Sequence, residues 1–79
     1  SFKVYPNPTT GNFTLELNGV QTEPVRVEIY GMRGEKVFAD VIVGERKHEF
    51  SLSERPAGLY FIKVVSGEYL GTFKVVKTR

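Results

Sequence analysis

Cysteine is absent from the 79 residues, and histidine occurs once, as His48. The fold therefore has neither disulfide bonds nor thiolate metal sites, and one imidazole does not form a metal cluster. Eleven basic and nine acidic residues give a net charge of +2 without a dense Lys/Arg stripe, which argues against nucleic acid as a partner. No stretch has the roughly 18 apolar residues of a membrane span. We expect no cofactor, metal or membrane span.

With 79 residues, the chain is long enough for only one domain. A domain of this size buries only about 60% of its unfolded surface, so residues 1–79 are expected to share a single core. The sequence begins with Ser1, lacks a signal-peptide pattern and enters a strand pattern at once. We expect it to be the excised end of a longer protein.

The hydrophobic pattern has a period of two and shows no helical stripe. In "NFTLELNG" and "PVRVEIYG", apolar residues alternate with polar ones, which is typical of half-buried strands. With "FKVY", "EKVFADVIVG", "KHEFSLS", "GLYFIKVVSG" and "YLGTFKVVKT", the pattern predicts about seven short strands separated by turns. This spacing predicts an all-β antiparallel sandwich. "GLYFIKVVSG" is apolar on both faces, so we expect a central strand that is covered on both sides.

The segment "VYPNPTTGNF" interrupts the strand pattern with two prolines. Because proline donates no backbone hydrogen bond, the first strand must end there or lie on a sheet edge. Asn7 suits the first position of a turn, with its side chain bonding a backbone N–H two residues on, and Gly11 suits a left-handed conformation. A structural corner explains the segment better than a phosphate-binding loop does.

Catalytic chemistry finds little support in the sequence. His48 has no evident nucleophile and orienting partner, and pairs such as Glu45 with Glu49 are typical of a solvated surface. We therefore expect no catalytic residues. An alternative function is a surface carbohydrate-binding or adhesive module, in which Tyr5, Tyr30 and Tyr69 would form an exposed platform.

The C-terminal end is basic, with Lys74, Lys77 and Arg79 in the last six residues. This pattern fits either a solvated strand face or a recognition tail. An exposed terminal strand offers its backbone edge to a partner by β-augmentation, and an exposed edge strand also makes a homodimer plausible.

Four motifs in order, "YPNPTTG", "VRVEIYGMRGEKV", "LSERPAGLYFIKV" and "KVVK", resemble the C-terminal sorting domain of the type IX (Por) secretion system of Bacteroidota. The similarity covers essentially the whole chain. It implies an immunoglobulin-like β-sandwich that carries its N-terminal cargo protein from the periplasm across the outer membrane to the cell surface or extracellular space. The family's cargo is commonly cut from the domain by a sortase-like cysteine protease.

The resemblance also assigns residues. It implies a mainly structural role for seven motif positions: Pro6, Asn7, Pro8, Gly11, Gly34, Gly58 and Tyr60. The basic end implies recognition by the secretion machinery at Lys74, Val75, Val76 and Lys77. Two positions depart from the usual pattern, because Ser51 stands where Asp is common and Arg55 where Leu is common.

Overall fold

The computed structural model describes residues 2–79 and contains seven strands and no helix within that range. The strands are Lys3–Tyr5 (β1), Asn12–Glu16 (β2), Val25–Tyr30 (β3), Lys36–Ile42 (β4), Lys47–Ser51 (β5), Gly58–Ser66 (β6) and Tyr69–Lys77 (β7). Each strand lies in a segment that the period of two indicated. The all-β prediction is therefore confirmed. Within residues 2–79, no helix is long and apolar enough to cross a bilayer.

Two antiparallel sheets form an immunoglobulin-like β-sandwich. One sheet has the order β1-β2-β5 and the other the order β4-β3-β6-β7. On one side of the sandwich, Phe38 of β4 lies edge-on to Phe50 of β5, with ring centroids 5.7 Å apart. On the opposite side, Phe2 lies against Tyr69 of β7, with centroids 4.6 Å apart. Aromatic contacts therefore join the sheets along both sides.

The core lies between the sheets and is apolar. The alternating residues of β2 and β3 point into it as predicted, and Tyr60, Ile62 and Val64 of β6 join them. Phe13 faces Phe50 across β2 and β5, with ring centroids 5.6 Å apart. Burial of these side chains stabilises the fold by roughly 1.5–3 kcal/mol for each large residue.

Strand β6 departs from the prediction on its second face. The strand is central in its sheet, but Leu59, Phe61 and Val65 are only half-buried on the side away from the core. A two-layer antiparallel sandwich leaves the outer side of each sheet to solvent, and neighbouring side chains give partial cover across the strands. The expectation that β6 is covered on both sides was wrong.

Glycines set three of the turns. Gly34, with φ of 84°, lies in the β3–β4 hairpin, and Gly67, with φ of 57°, lies in the β6–β7 hairpin. Gly58 has φ of 152° where β6 begins after Pro56. Residues with a side chain rarely adopt these conformations, so glycine suits each of the three positions.

Candidate functional site

The two-proline segment carries the chain from one sheet to the other. β1 ends at Tyr5, and the Tyr5–Pro6 and Asn7–Pro8 peptide bonds are cis. The following residues run beside β7 of the other sheet, where Thr9 forms an isolated parallel bridge with Lys77. The predicted strand end is confirmed, and the corner is a crossing between sheets.

Asn7 binds the terminal strand with both ends of its side-chain amide. Its Nδ2 donates to the carbonyl oxygen of Lys74 at 2.7 Å, and its Oδ1 accepts from the N–H of Val76 at 2.9 Å. We predicted instead a bond to the N–H two residues on, that of Thr9. That prediction was wrong, because the Thr9 N–H donates to the Val76 carbonyl at 2.9 Å.

Thr9 extends this contact toward the C-terminus. Its carbonyl accepts from the N–H of Thr78 at 2.8 Å, and its buried hydroxyl donates to the carbonyl of Asn12 and accepts from the N–H of Gly11. We call Asn7 and Thr9 the clasp. The clasp occupies the backbone edge of β7 from Lys74 to Thr78, so this edge is not open for β-augmentation as the sequence suggested.

Gly11 has a different role from the one predicted. It is not among the glycines with positive φ, so the left-handed assignment was wrong. A Cβ at this position would lie 3.4 Å from both Cα and Cβ of Ser53, and the Gly11 carbonyl accepts from the N–H of Leu52 at 2.8 Å. Gly11 therefore packs against the chain after β5, where a Cβ would lie at van der Waals contact with Ser53.

The four terminal residues assigned to recognition lie on two faces of β7. Val75 is fully buried in the core, whereas Lys74 and Val76 are exposed on the opposite side of the strand. Lys77 is half-buried, and its Nζ donates to the carbonyl of Arg55 at 2.6 Å. Only Lys74 and Val76 share an exposed surface.

The "AGLY" motif and its neighbours close one end of the sandwich. The buried Tyr60 donates its hydroxyl to the carbonyl of Pro56 at 2.6 Å. Arg55 donates to the carbonyl of Val37 in β4 at 2.9 Å. These bonds join the β5–β6 loop to β4 and to the terminal strand through Lys77. The bond from its hydroxyl supports a structural role for Tyr60.

The three tyrosines of the alternative carbohydrate-binding platform lie on different surfaces. Tyr5 lies on the outside of the three-stranded sheet and donates to Glu16 at 2.7 Å, whereas Tyr30 lies on the outside of the other sheet and donates to Glu28 at 2.7 Å. Tyr69 packs against Phe2 at the side of the sandwich. The three tyrosines therefore form no shared platform.

In residues 2–79, the hydrogen-bond and ion-pair partners of His48 are carboxylates. Its Nδ1 lies 2.7 Å from Glu45 Oε1, and its Nε2 lies 3.7 Å from Asp40 Oδ2. Among residues 2–79, no group of three or more His, Cys, Asp or Glu side chains is arranged to hold a metal ion.

The tyrosine hydroxyls shift the ionisation of their carboxylate partners. The hydrogen bond from Tyr30, reinforced by Lys36, lowers the pKa of Glu28, and the bond from Tyr5 lowers the pKa of Glu16. The same bonds raise the pKa of both tyrosines, since each hydroxyl proton is held by a carboxylate.

The clasp joins the first and last motifs of the chain, and the family comparison spans both. The family model for the secretion system C-terminal sorting domain matches residues 3–78. The chain belongs to this family. It is thus a sorting domain of the type IX secretion system, and such a domain implies a cargo protein, the secretion machinery and export across the outer membrane. Domains of this family are generally non-catalytic. No curated protein matches the sequence.

Sequence reasoning missed the clasp. It identified the proline motif and the basic end as separate features, since Asn7 and Val76 are 69 positions apart. The conspicuous signal was the Asn between two prolines, but its partners depend on how β1 and β7 pack.

Proposed function

We propose that the secretion machinery recognises this sorting domain at its terminal strand, through Lys74, Val75, Val76 and Lys77. The membership of the chain in the sorting family and the exposure of Lys74 and Val76 support this assignment. In this proposal Lys74 and Val76 make the contacts, while Val75 and Lys77 hold the strand in place through the core and the Arg55 carbonyl. The seven motif residues from Pro6 to Tyr60 act by shaping the domain.

Point substitutions test this proposal better than truncation does. A reporter with a periplasmic signal peptide is fused before residue 1 and expressed in a Bacteroidota host with a type IX system. We expect Lys74→Glu and Val76→Ser to leave the reporter in the periplasm. Lys47→Glu is the matched control, because it makes the same charge change on an exposed site of the other sheet. Normal export of both terminal variants, with unchanged thermal unfolding, would overturn the proposal.

Two finer proposals concern what happens to the domain. We propose that a sortase-like cysteine protease cuts the cargo from it upstream of β1, which the family resemblance supports.

We also propose that a homodimer forms through an edge strand. β4 and β5 each end a sheet on the side away from the clasp, and this supports β4 or β5 as the dimer edge. Mass spectrometry of the released cargo tests the cleavage, and sedimentation equilibrium of the domain tests the dimer.

A further inference from the structure

The side of the four-stranded sheet that faces away from the core is apolar at its centre. We call this side the outer face. Across its strands, Tyr30 lies opposite Phe61 in one row, and Leu59 lies opposite Val76 in the row beside it. Leu70, at the far end of β7, is 64% exposed. Exposed and half-buried apolar side chains thus cover three adjacent strands.

Lysines flank the aromatic row. Lys36 pairs with Tyr30 on the β4 side, and Lys74 pairs with Phe61 on the β7 side. Lys63 lies in the next row, opposite Glu28. The outer face of residues 2–79 thus carries four cations, Arg26, Lys36, Lys63 and Lys74, against the single carboxylate of Glu28.

That carboxylate is already engaged. Glu28 lies 3.2 Å from Lys36 Nζ and 3.7 Å from Arg26, and it accepts the hydroxyl of Tyr30. In the part of the chain that the structure describes, neither Lys63 nor Lys74 has an ion pair. The two lysines are therefore available to a partner.

The outer side of the three-stranded sheet differs in both respects. Lys3, Glu16 and Lys47 alternate in charge across its three strands, and Tyr5, Thr14 and Glu49 form the next row. That surface is polar and balanced in charge. The combination of an apolar centre with excess positive charge is a property of one sheet alone.

We infer that the outer face of the four-stranded sheet docks a protein partner whose own surface is apolar at its centre and acidic around it. The inference rests on the proposed recognition of Lys74 and Val76, and extends that site across β6 to Lys63 and Phe61. An aromatic centre with a charged rim is the composition of protein–protein interfaces. The acidic character of the partner follows from the unpaired lysines.

The size of the face fits a transient complex. Four strands about 4.8 Å apart, with β6 and β7 of nine residues at about 3.3 Å each, give a surface of roughly 15 by 30 Å. Contacts of this size are at the low end of specific interfaces, where complexes form and dissociate readily.

The experiment compares matched charge reversals in the same reporter fusion. We expect Lys63→Glu to reduce the secreted fraction by about tenfold, and Phe61→Ser to do the same, since both remove docking contacts. Lys47→Glu on the polar sheet should secrete normally. Thermal unfolding of each purified domain verifies that the variants are folded. A Lys63→Arg variant, which keeps the positive charge, should be exported like the natural domain.

The outcomes separate the two proposals. Loss of export with Lys74→Glu but not with folded Lys63→Glu and Phe61→Ser would overturn the wider docking face and leave the terminal signal in place. Loss with Lys63→Glu but not with Lys74→Glu and Val76→Ser would overturn the terminal signal and keep the face. Normal export in all four would overturn both.

The acidic chemistry of the partner has its own test. Suppressors of Lys63→Glu in the secretion machinery should replace an acidic residue by a neutral or basic one, and suppressors that introduce new acids would contradict the inference. Flotation with vesicles of phosphatidylcholine and phosphatidylglycerol tests a lipid partner. Vesicle binding by the natural domain that is lost in Lys63→Glu would overturn the protein partner.

Discussion

At the scale of single residues, Asn7 makes the contact that sequence patterns did not reveal. One side-chain amide satisfies a carbonyl and an N–H of β7 at the same time. An amide side chain supplies a donor and an acceptor on neighbouring atoms, which suits Asn between the prolines.

Replacing Asn7 should loosen the end of β7. We expect Asn7→Ala to lower the free energy of unfolding by about 1–2 kcal/mol, because two hydrogen bonds are lost. Hydrogen exchange of the Val76 amide should become faster, and chemical denaturation gives the stability change. Asn12→Ala is the control, as Asn12 is exposed on β2. Equal effects of the two variants would argue against the clasp.

The Tyr30 hydroxyl gives a prediction about pH. We expect Tyr30→Phe to raise the pKa of Glu28 toward its ordinary value, because the largest cause of its lowering is removed. A carboxylate with a lowered pKa stabilises the fold above its unfolded pKa, and this contribution is lost as pH falls through the folded pKa. The free energy of unfolding of Tyr30→Phe should therefore fall less than that of the natural sequence as pH is lowered through the Glu28 pKa.

Carboxyl NMR titration measures this shift directly. Tyr5→Phe serves as the control, since it should raise the pKa of Glu16 and leave Glu28 unchanged. A Glu28 pKa that is the same in Tyr30→Phe and the natural sequence would contradict the assigned hydrogen bond.

At the scale of elements, β7 combines a structural and an exposed face. We expect Val75→Ala to destabilise the domain by about 2 kcal/mol, because it leaves a cavity in the core. Val76→Ala should change stability by less than about 0.5 kcal/mol, since Val76 is 40% exposed. Urea unfolding of the two neighbours compares them under identical conditions. Similar losses of stability would show that the core face and the exposed face of β7 contribute equally to stability.

The seven strands were predictable because each depends on local alternation and on nearby glycine or proline. The hairpin glycines and the inward direction of Tyr60 follow from the same local rules. The position of Gly11 beside Ser53 was not predictable, since the two residues meet only after β2 and β5 pair. The open side of β6 was also missed, because an apolar outer face and a buried one look alike in sequence.

At the scale of the whole molecule, the terminal strand is part of the core and of the sheet. We expect removal of residues 74–79 to unfold the domain, because it deletes Val75 and the partners of the clasp. Removal of residues 78–79 should cost only about 1 kcal/mol, from the lost Thr78 bond to Thr9. Circular dichroism and thermal melting distinguish the two. A folded domain without residues 74–79 would show that β7 is dispensable for stability.

The parallel contact between the clasp and β7 has a mechanical consequence. Phe2 lies beside Tyr69 at the start of β7, and Thr9 lies beside Lys77 at its end. Consider a cargo that pulls on the chain before Phe2 while a second force holds the chain after Thr78. Because residues 7–9 run parallel to β7, these opposite forces slide the two segments along each other and do not peel them apart. Under such shear, the bonds of Asn7 and Thr9 to β7 must break together. We therefore expect the sorting domain to resist unfolding when its two ends are drawn apart.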